Sequence, residues 1–239
     1  MTDYFISDAH LYPSWKDHPG RASLHGFLAE LAGKDPGGLW ILGDLFDYWF
    51  EYRGHMPAGY TDTLRLLRDL EEKGWKTRFI PGNHDWWCGE HLRESSGMKI
   101  IRDTIHTETI QGHRCLMAHG DGLGRGDTGY RLIRPVLRAN FMKPFSQLFT
   151  PPWHLACNQI SNTSRRILRT QVDTVPEYLS SWVKLQRQNG VNLVITGHTH
   201  CPSLTDLGGI EHASLGDWIS HFTYLTIRGG EISLNEYEG

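Results

Sequence analysis

The chain has no apolar run approaching the roughly 18 residues a membrane-spanning helix needs, which argues against a helical integral membrane protein. Cysteine is sparse, and the four present, Cys88, Cys115, Cys157 and Cys201, include no Cys-x-x-Cys pair. That pattern fits reduced thiols in a cytoplasmic protein better than a disulfide framework. The amino-terminal stretch Met1-Thr2-Asp3-Tyr4 lacks the basic and apolar regions of an export signal. Internal repeats and low-complexity segments are missing too. The expectation is a cytoplasmic protein, soluble or peripheral to a membrane. A net charge of −3 over 239 residues offers no basis for general nucleic-acid binding and disfavours a nuclease. The length suits one domain, or one domain carrying an insertion.

One absence is local. From Thr128 to Val172 there is no Asp or Glu, while Arg131, Arg134, Arg138, Lys143, Arg165, Arg166 and Arg169 give +7, leaving −10 for the remainder. Leu132, Ile133, Val136, Leu137, Phe141, Phe145, Leu148, Phe149 and Trp153 recur there at roughly helical intervals, broken by Pro135 and Pro144. Short, kinked, basic amphipathic helices are expected, of the kind that suit anionic membrane surfaces or amphiphilic ligands.

What the chain does have is a set of five segments ending in metal-ligand residue types: Asp8-Ala9-His10, Gly43-Asp44-Leu45-Phe46-Asp47, Gly82-Asn83-His84-Asp85, His119-Gly120-Asp121 and Gly197-His198-Thr199-His200. Each follows a hydrophobic run that reads as a buried strand: Phe5-Ile6, Leu39 to Leu42, Arg78 to Ile80, Cys115 to Ala118 and Leu193 to Ile195. In open α/β sheets chemistry collects beyond the carboxyl ends of the strands, so residues as distant as 8 and 200 can share one ion. Gly43, Gly82, Gly120 and Gly197 suit turns that need positive φ or close backbone approach.

Helices alternate with these strands. Leu24, Phe27, Leu28 and Leu31 mark a first, and Leu64, Leu67 and Leu70 a second, with Thr61 as N-cap and Gly74 as stop. A third is expected over Thr174–Gln188, with Thr174 and Glu177 as a capping box and Gly190 as terminator. The alternation predicts a largely parallel sheet covered on both faces. The tail reads as β, with Gly229-Gly230 turning an antiparallel hairpin. Trp40 and Trp75 are expected in the core, whereas Tyr48-Trp49-Phe50 is placed at a ligand pocket.

Two divalent cations need about seven protein ligands, and the chain offers Asp8, His10, Asp44, Asn83, His119, His198 and His200. Asp44 is the natural bridge, having two oxygens to share; Asn83 adds a neutral carbonyl oxygen. Two such ions ~3.5–4 Å apart acidify a shared water and clamp a phosphoryl oxygen. His84 is left for chemistry, steadying the transition state or protonating a leaving group, and Asp85 for orienting His84 or the turn. Carboxylate with imidazole suits manganese, taken as the first expectation, and also iron or zinc.

The ordered set Asp8-x-His10, Gly43-Asp44-x-x-Asp47, Gly82-Asn83-His84-Asp85, His119 and Gly197-His198-x-His200 resembles the calcineurin-like metallophosphoesterase superfamily over almost the full chain. The resemblance implies an α/β fold, a two-sheet β sandwich flanked by helices. It implies one ion on Asp8, His10, Asp44 and His200 and the other on Asp44, Asn83, His119 and His198. Within the superfamily, Gly43 to Trp49, His119 to Leu123, Asp127, Tyr130 and a helical insertion are similar to the UDP-2,3-diacylglucosamine pyrophosphatases of the lipid A pathway. That likeness implies a single domain over 1–239 with a cap over 123–187. The implied substrate is a UDP-linked diacylated glucosamine, cleaved to UMP and a lipid monophosphate. Asp127 would contact the sugar, and Ser161, Ser164, Arg165 and Arg166 sugar or phosphate, beside Asn83, His84 and His198. The implied location is the cytoplasmic face of a Gram-negative inner membrane, with no obligate protein partner. Two positions depart from the family: His84 where Arg is common, and Cys201 where a basic residue is common. The rival readings are another phosphoesterase of the superfamily, acting on nucleotides or phosphodiesters, and a metal-binding scaffold without turnover.

Overall fold

The computed structural model describes residues 1–51, 57–124 and 175–239. Along these residues the chain runs β1 (Thr2–Ile6), α1 (Arg21–Leu31), β2 (Gly38–Ile41), α2 (Thr61–Glu72), β3 (Lys76–Phe79), α3 (Glu90–Ser96), β4 (Lys99–Ile100), β5 (His106–Ile110) and β6 (His113–Ala118). After the undescribed stretch come α4 (Glu177–Gln186), β7 (Leu193–Thr196), β8 (Ser203–Asp206), β9 (Glu211–Ser214), β10 (Thr223–Arg228) and β11 (Glu231–Glu236).

The strands form two mixed sheets, ordered β11-β10-β1-β2-β3-β4 and β5-β6-β7-β9-β8. Strands β1 to β4 are mutually parallel, as are β6, β7 and β9; antiparallel pairs occupy the edges. Side chains alternate across each strand, and the alternation separates three cores. Leu39, Ile41 and Phe79 join Leu24, Phe27, Leu67 and Leu92 beneath α1 to α3. Phe5, Trp40 and Leu42 meet Cys115, Met117, Leu193 and Ile195 between the sheets. Leu116 and Val194 meet Leu179 and Val183 of α4 on the outer face of the second sheet.

The expected largely parallel sheet covered on both faces is thus corrected to two mixed sheets. Helices cover one face of each sheet, and the sheets cover each other. A strand buried on both faces is apolar throughout, so its composition does not disclose whether a helix or a second sheet lies above it. The two-sheet sandwich implied by family likeness is what forms.

Helix starts differ from expectation too. Tyr60, not Thr61, is the N-cap of α2, and no side chain caps it; Asp62 in the first turn offers charge to the helix dipole instead. Gly74, at φ +90°, ends the segment as expected. Helix α4 begins at Glu177 after Pro176, later than Thr174. Val175 precedes a proline and is pushed away from helical backbone, so a helix through 174–176 is disfavoured. Thr174 itself lies outside the described residues. The terminator Gly190 is left-handed at φ +74°, and Gly229-Gly230 joins β10 to β11 in register. Trp40 and Trp75 are buried as expected. Trp49 is fully buried with Phe46 and Tyr60 under the helices, so of the three only Tyr48 and Phe50 keep partial exposure. A cap is expected over 123–187. Residues 125–174 lie outside the described residues, and α4, within that range, packs on the body.

Candidate metal centre

Three neighbouring parallel strands of one sheet and two of the other point their carboxyl ends the same way. Asp8 and His10 follow β1, Asp44 follows β2, Asn83 and His84 follow β3, His119 follows β6, and His198 and His200 follow β7. Backbone bonds lock the loops side by side: Asp8 N–H to Gly43 O at 3.1 Å, His10 N–H to Asp44 O at 2.8 Å and Gly197 N–H to His119 O at 2.8 Å.

Among the described residues, seven non-glycines adopt positive φ, and five of them are candidate ligands: Asp8, His10, Asp44, His198 and His200, at φ +45° to +69°. Left-handed backbone costs a side-chain-bearing residue of order 1 kcal/mol or more and collects at functional sites. The strain turns each side chain off the strand direction toward a common point. Gly43 makes this possible at φ +83°, since a Cβ there would meet Gly82 N and His119 Nδ1 at 2.6 Å.

Three donor clusters result: Asp8, His10 and His200; His10, Asp44 and His84; Asp44, His119 and His198. His10 Nε2 lies 3.7 Å from Asp8 Oδ1 and 3.6 Å from Asp44 Oδ2. His200 Nε2 is 3.6 Å from Asp8 Oδ1, and His119 Nε2 is 3.3 Å from Asp44 Oδ2. Atoms each ~2.0–2.2 Å from one tetrahedral ion lie roughly 3.3–3.6 Å apart. Asp8 Oδ1 and His10 Nε2 are buried without a hydrogen-bond partner among the described residues. Orphaned acceptors in a dry carboxylate–imidazole nest are costly unless a cation joins them, so the residues fit the expected ions.

Supporting bonds set the orientations. His119 Nδ1 sits 2.8 Å from Leu42 O, which leaves Nε2 free to face Asp44 and Asn83 Oδ1, the latter 3.2 Å away. His84 Nδ1 is 2.6 Å from Asp47 O, with Nε2 3.8 Å from Asp44 Oδ2. His84 is therefore slightly farther from Asp44 than the expected ligands His10 and His119 are. Asp85 serves the turns and not His84: it accepts the N–H groups of Asp44, Leu45, Phe46 and Gly82 at 2.8–3.4 Å.

The charges are strongly interdependent. Burial works against ionising Asp44, but His119 and His84 outweigh it and hold the carboxyl well below its usual range. Burial likewise opposes the proton on His119, and Asp44 outweighs it, raising that imidazole. Burial pushes His10 down to about 3, so it is neutral, as a ligand must be. Burial, with Asp44 alongside, pushes Asp85 up to about 7 against the pull of the turn N–H groups.

Two groups at the site lie outside the five motifs. Asp217 lies 3.3 Å from His200 Nδ1, and Trp218 N–H reaches Asp8 O at 3.2 Å. The signal was there: Leu215-Gly216-Asp217 follows β9, repeating the strand-Gly-Asp pattern of Leu42-Gly43-Asp44. Asp127, Ser161, Ser164, Arg165 and Arg166 lie outside the described residues, as does Cys157; Cys88 and Cys115 are buried free thiols.

Residues 1–202 match the family model described as calcineurin-like phosphoesterase. The UDP-2,3-diacylglucosamine hydrolase of Aeromonas salmonicida is 32% identical, with 99% of this chain and 93% of that protein covered. Its namesake from Stenotrophomonas maltophilia is 32% identical, covering 98% of each, and that from Porphyromonas gingivalis 30% identical, covering 98% and 97%. With strand-end carboxylates and imidazoles gathered from both sheets and a family model spanning most of the length, the chain belongs to the calcineurin-like phosphoesterases, metal-dependent hydrolases.

Proposed function

We propose that this chain hydrolyses the diphosphate of UDP-2,3-diacylglucosamine, giving UMP and 2,3-diacylglucosamine 1-phosphate. The reading is carried by one observation: Asp44 belongs to two donor clusters at once, with His10 and His84 on one side and His119 and His198 on the other, as a carboxylate shared by two ions must. Near-full-length similarity to hydrolases named for that substrate supports the choice of substrate.

In this reading Asp8, His10, Asp44 and His200 hold one ion and Asp44, Asn83, His119 and His198 the other, with manganese preferred. When bound, the pair supplies positive charge that acidifies a water and polarises the phosphoryl oxygens. Water adds across the P–O–P bridge: one phosphorus gains its oxygen, and the bridging oxygen departs with the other phosphate. Asn83 offers a neutral oxygen and adds no negative charge beside an anionic substrate. His84 faces the same space from outside the ligand set. Its Nδ1 is engaged by Asp47 O, so Nε2 is the atom that meets developing charge or passes a proton.

Residues 123–187 are proposed as the cap, with Thr128–Val172 taking the acyl chains and the membrane surface through its apolar and cationic residues. Asp127, Ser161, Ser164, Arg165 and Arg166 are proposed to contact sugar and phosphate, beside Asn83, His84 and His198. The setting proposed is the cytoplasmic face of a Gram-negative inner membrane. Among the described residues no helix is long and apolar enough to cross a membrane. Incubation with UDP-2,3-diacylglucosamine and manganese should release UMP. Release of p-nitrophenol from bis(p-nitrophenyl) phosphate with no UMP from the lipid would replace this reading with that of a general phosphodiesterase.

A further inference from the structure

Asp217 is buried at the end of β9, beyond the ligand set. Its Oδ1 accepts the N–H groups of Ile219, Ser220 and His221 at 2.8, 2.6 and 3.2 Å. Its Oδ2 faces two imidazoles, His200 Nδ1 at 3.3 Å and His221 Nδ1 at 3.0 Å. The following residue, Trp218, donates its N–H to Asp8 O. One turn therefore grips two members of the Asp8-His10-His200 cluster, His200 by side chain and Asp8 by backbone.

The chemistry follows from which nitrogen carries the proton. A carboxylate at Nδ1 selects the Nδ1–H tautomer and leaves the Nε2 lone pair for an ion. His200 Nε2 points at Asp8 Oδ1, and its ring lies 5.1 Å from that of His10 at an interplanar angle of 14°. His200 sits at a strained φ of +57°, so its backbone alone does not hold the ring there cheaply. The other half of the site uses a different device, the Leu42 carbonyl on His119 Nδ1.

We propose that Asp217 is the positioning residue of the ion site formed by Asp8, His10 and His200, fixing the tautomer and aim of His200. His221 shares Oδ2 and closes the arrangement from the solvent side. The inference rests on the ligand assignment proposed above.

The test is calorimetric titration of manganese into the metal-stripped full chain. Asp217→Asn keeps an oxygen for the turn N–H groups but cannot also accept from His200. Affinity at one site should fall roughly 10–100-fold, the usual cost of losing such a partner, with the second site unchanged and thermal stability near that of the parent. Unchanged affinity at both sites in folded Asp217→Asn overturns the proposal. His200→Ala separates the two claims: it should lose one ion outright, and if both stay the ligand assignment itself fails. Long-range proton–nitrogen spectra of the stripped parent chain give an independent reading, decisive even if Asp217→Asn does not fold. Nδ1–H on His200 supports the proposal, and Nε2–H overturns it.

Discussion

The two sheets contribute to the site in different chemical currencies. The first sheet gives both carboxylates, Asp8 and Asp44, together with His10, Asn83 and His84; the second gives only imidazoles, His119, His198 and His200. Their supports differ as well. The first half is tied by backbone bonds between adjacent loops and by Asp85, which gathers four N–H groups from two loops. The second relies on single acceptors placed behind two of its rings, Leu42 O for His119 and Asp217 for His200. The carboxylate ligands thus come from one side, in a rigid frame, while the imidazole ligands that cross the sandwich have the Asp217 carboxylate behind them on their own side. The difference teaches that neither sheet holds a complete site, and that the inter-sheet core sets the geometry of the chemistry.

The sharpest way to break the comparison is to remove the shared carboxylate. Asp44→Ala should abolish binding of both ions and lower turnover by more than about 10³-fold, beyond the cost of one electrostatic donor. Metal analysis of the purified variant would decide: one retained ion would mean that the halves bind independently.

Next comes His84, assigned to chemistry and not to metal. His84→Ala should keep both ions and slow turnover roughly 10²–10⁴-fold, the range of general acid–base groups. Its Nε2 stands 3.8 Å from Asp44 Oδ2, so stoichiometric loss of an ion would move it into the ligand set and extend the first sheet's share.

The inter-sheet core is tested at Trp40, fully buried and stacked on Phe5 at 6.1 Å. Trp40→Ala should cost about 3–5 kcal/mol, measured by denaturant unfolding. Metal affinity should weaken along with stability if the core sets the separation of the two halves. A destabilised variant with unaltered affinity would show each half to be locally determined.

How much of this was readable beforehand depends on the kind of pattern. Strand-end ligands were legible because a hydrophobic run followed by Gly and a ligand residue is a local signal repeated five times. Asp217 carries the same strand-Gly-Asp signal, but the next ligand-type residue, His221, stands four positions on, a wider spacing than in any of the five motifs. The second sheet was illegible from composition, since Leu193 to Ile195 reads alike under a helix or a sheet. β5 was overlooked although His106 to Ile110 alternates by two and Gln111-Gly112, at φ +46° and +92°, makes a tight hairpin turn; turn chemistry there is Gln-Gly where Asn-Gly is the stronger cue. Trp49, two residues after Asp47, lies in the core and not at a ligand pocket, because alternation along Asp47 to Phe50 sends every second side chain inward.

The smallest effect expected lies on the outer face of the second sheet, and it asks whether that half carries a pH liability outside the metal centre. His212 of β9 is buried, with Nε2 2.9 Å from Thr196 Oγ1. Burial pushes its imidazole down to about 4, from an ordinary value of 6.5. The folded state therefore resists a proton that the unfolded chain accepts. Between pH 4 and 6.5 the unfolded chain binds more protons, so stability falls as pH falls through that window and levels off below it. From pH 7 to pH 5 the group alone removes about 2 kcal/mol, by the linkage of 1.36 kcal/mol per pKa unit. His212→Gln keeps a hydrogen-bonding partner for Thr196 and has nothing to titrate. Other buried histidines contribute equally to both proteins, so the difference between the two isolates this one. Urea unfolding at pH 7 and pH 5 should show the parent losing about 2 kcal/mol more than the variant. Parallel losses would mean that His212 takes up its proton without unfolding, by turning toward solvent at the edge of α4.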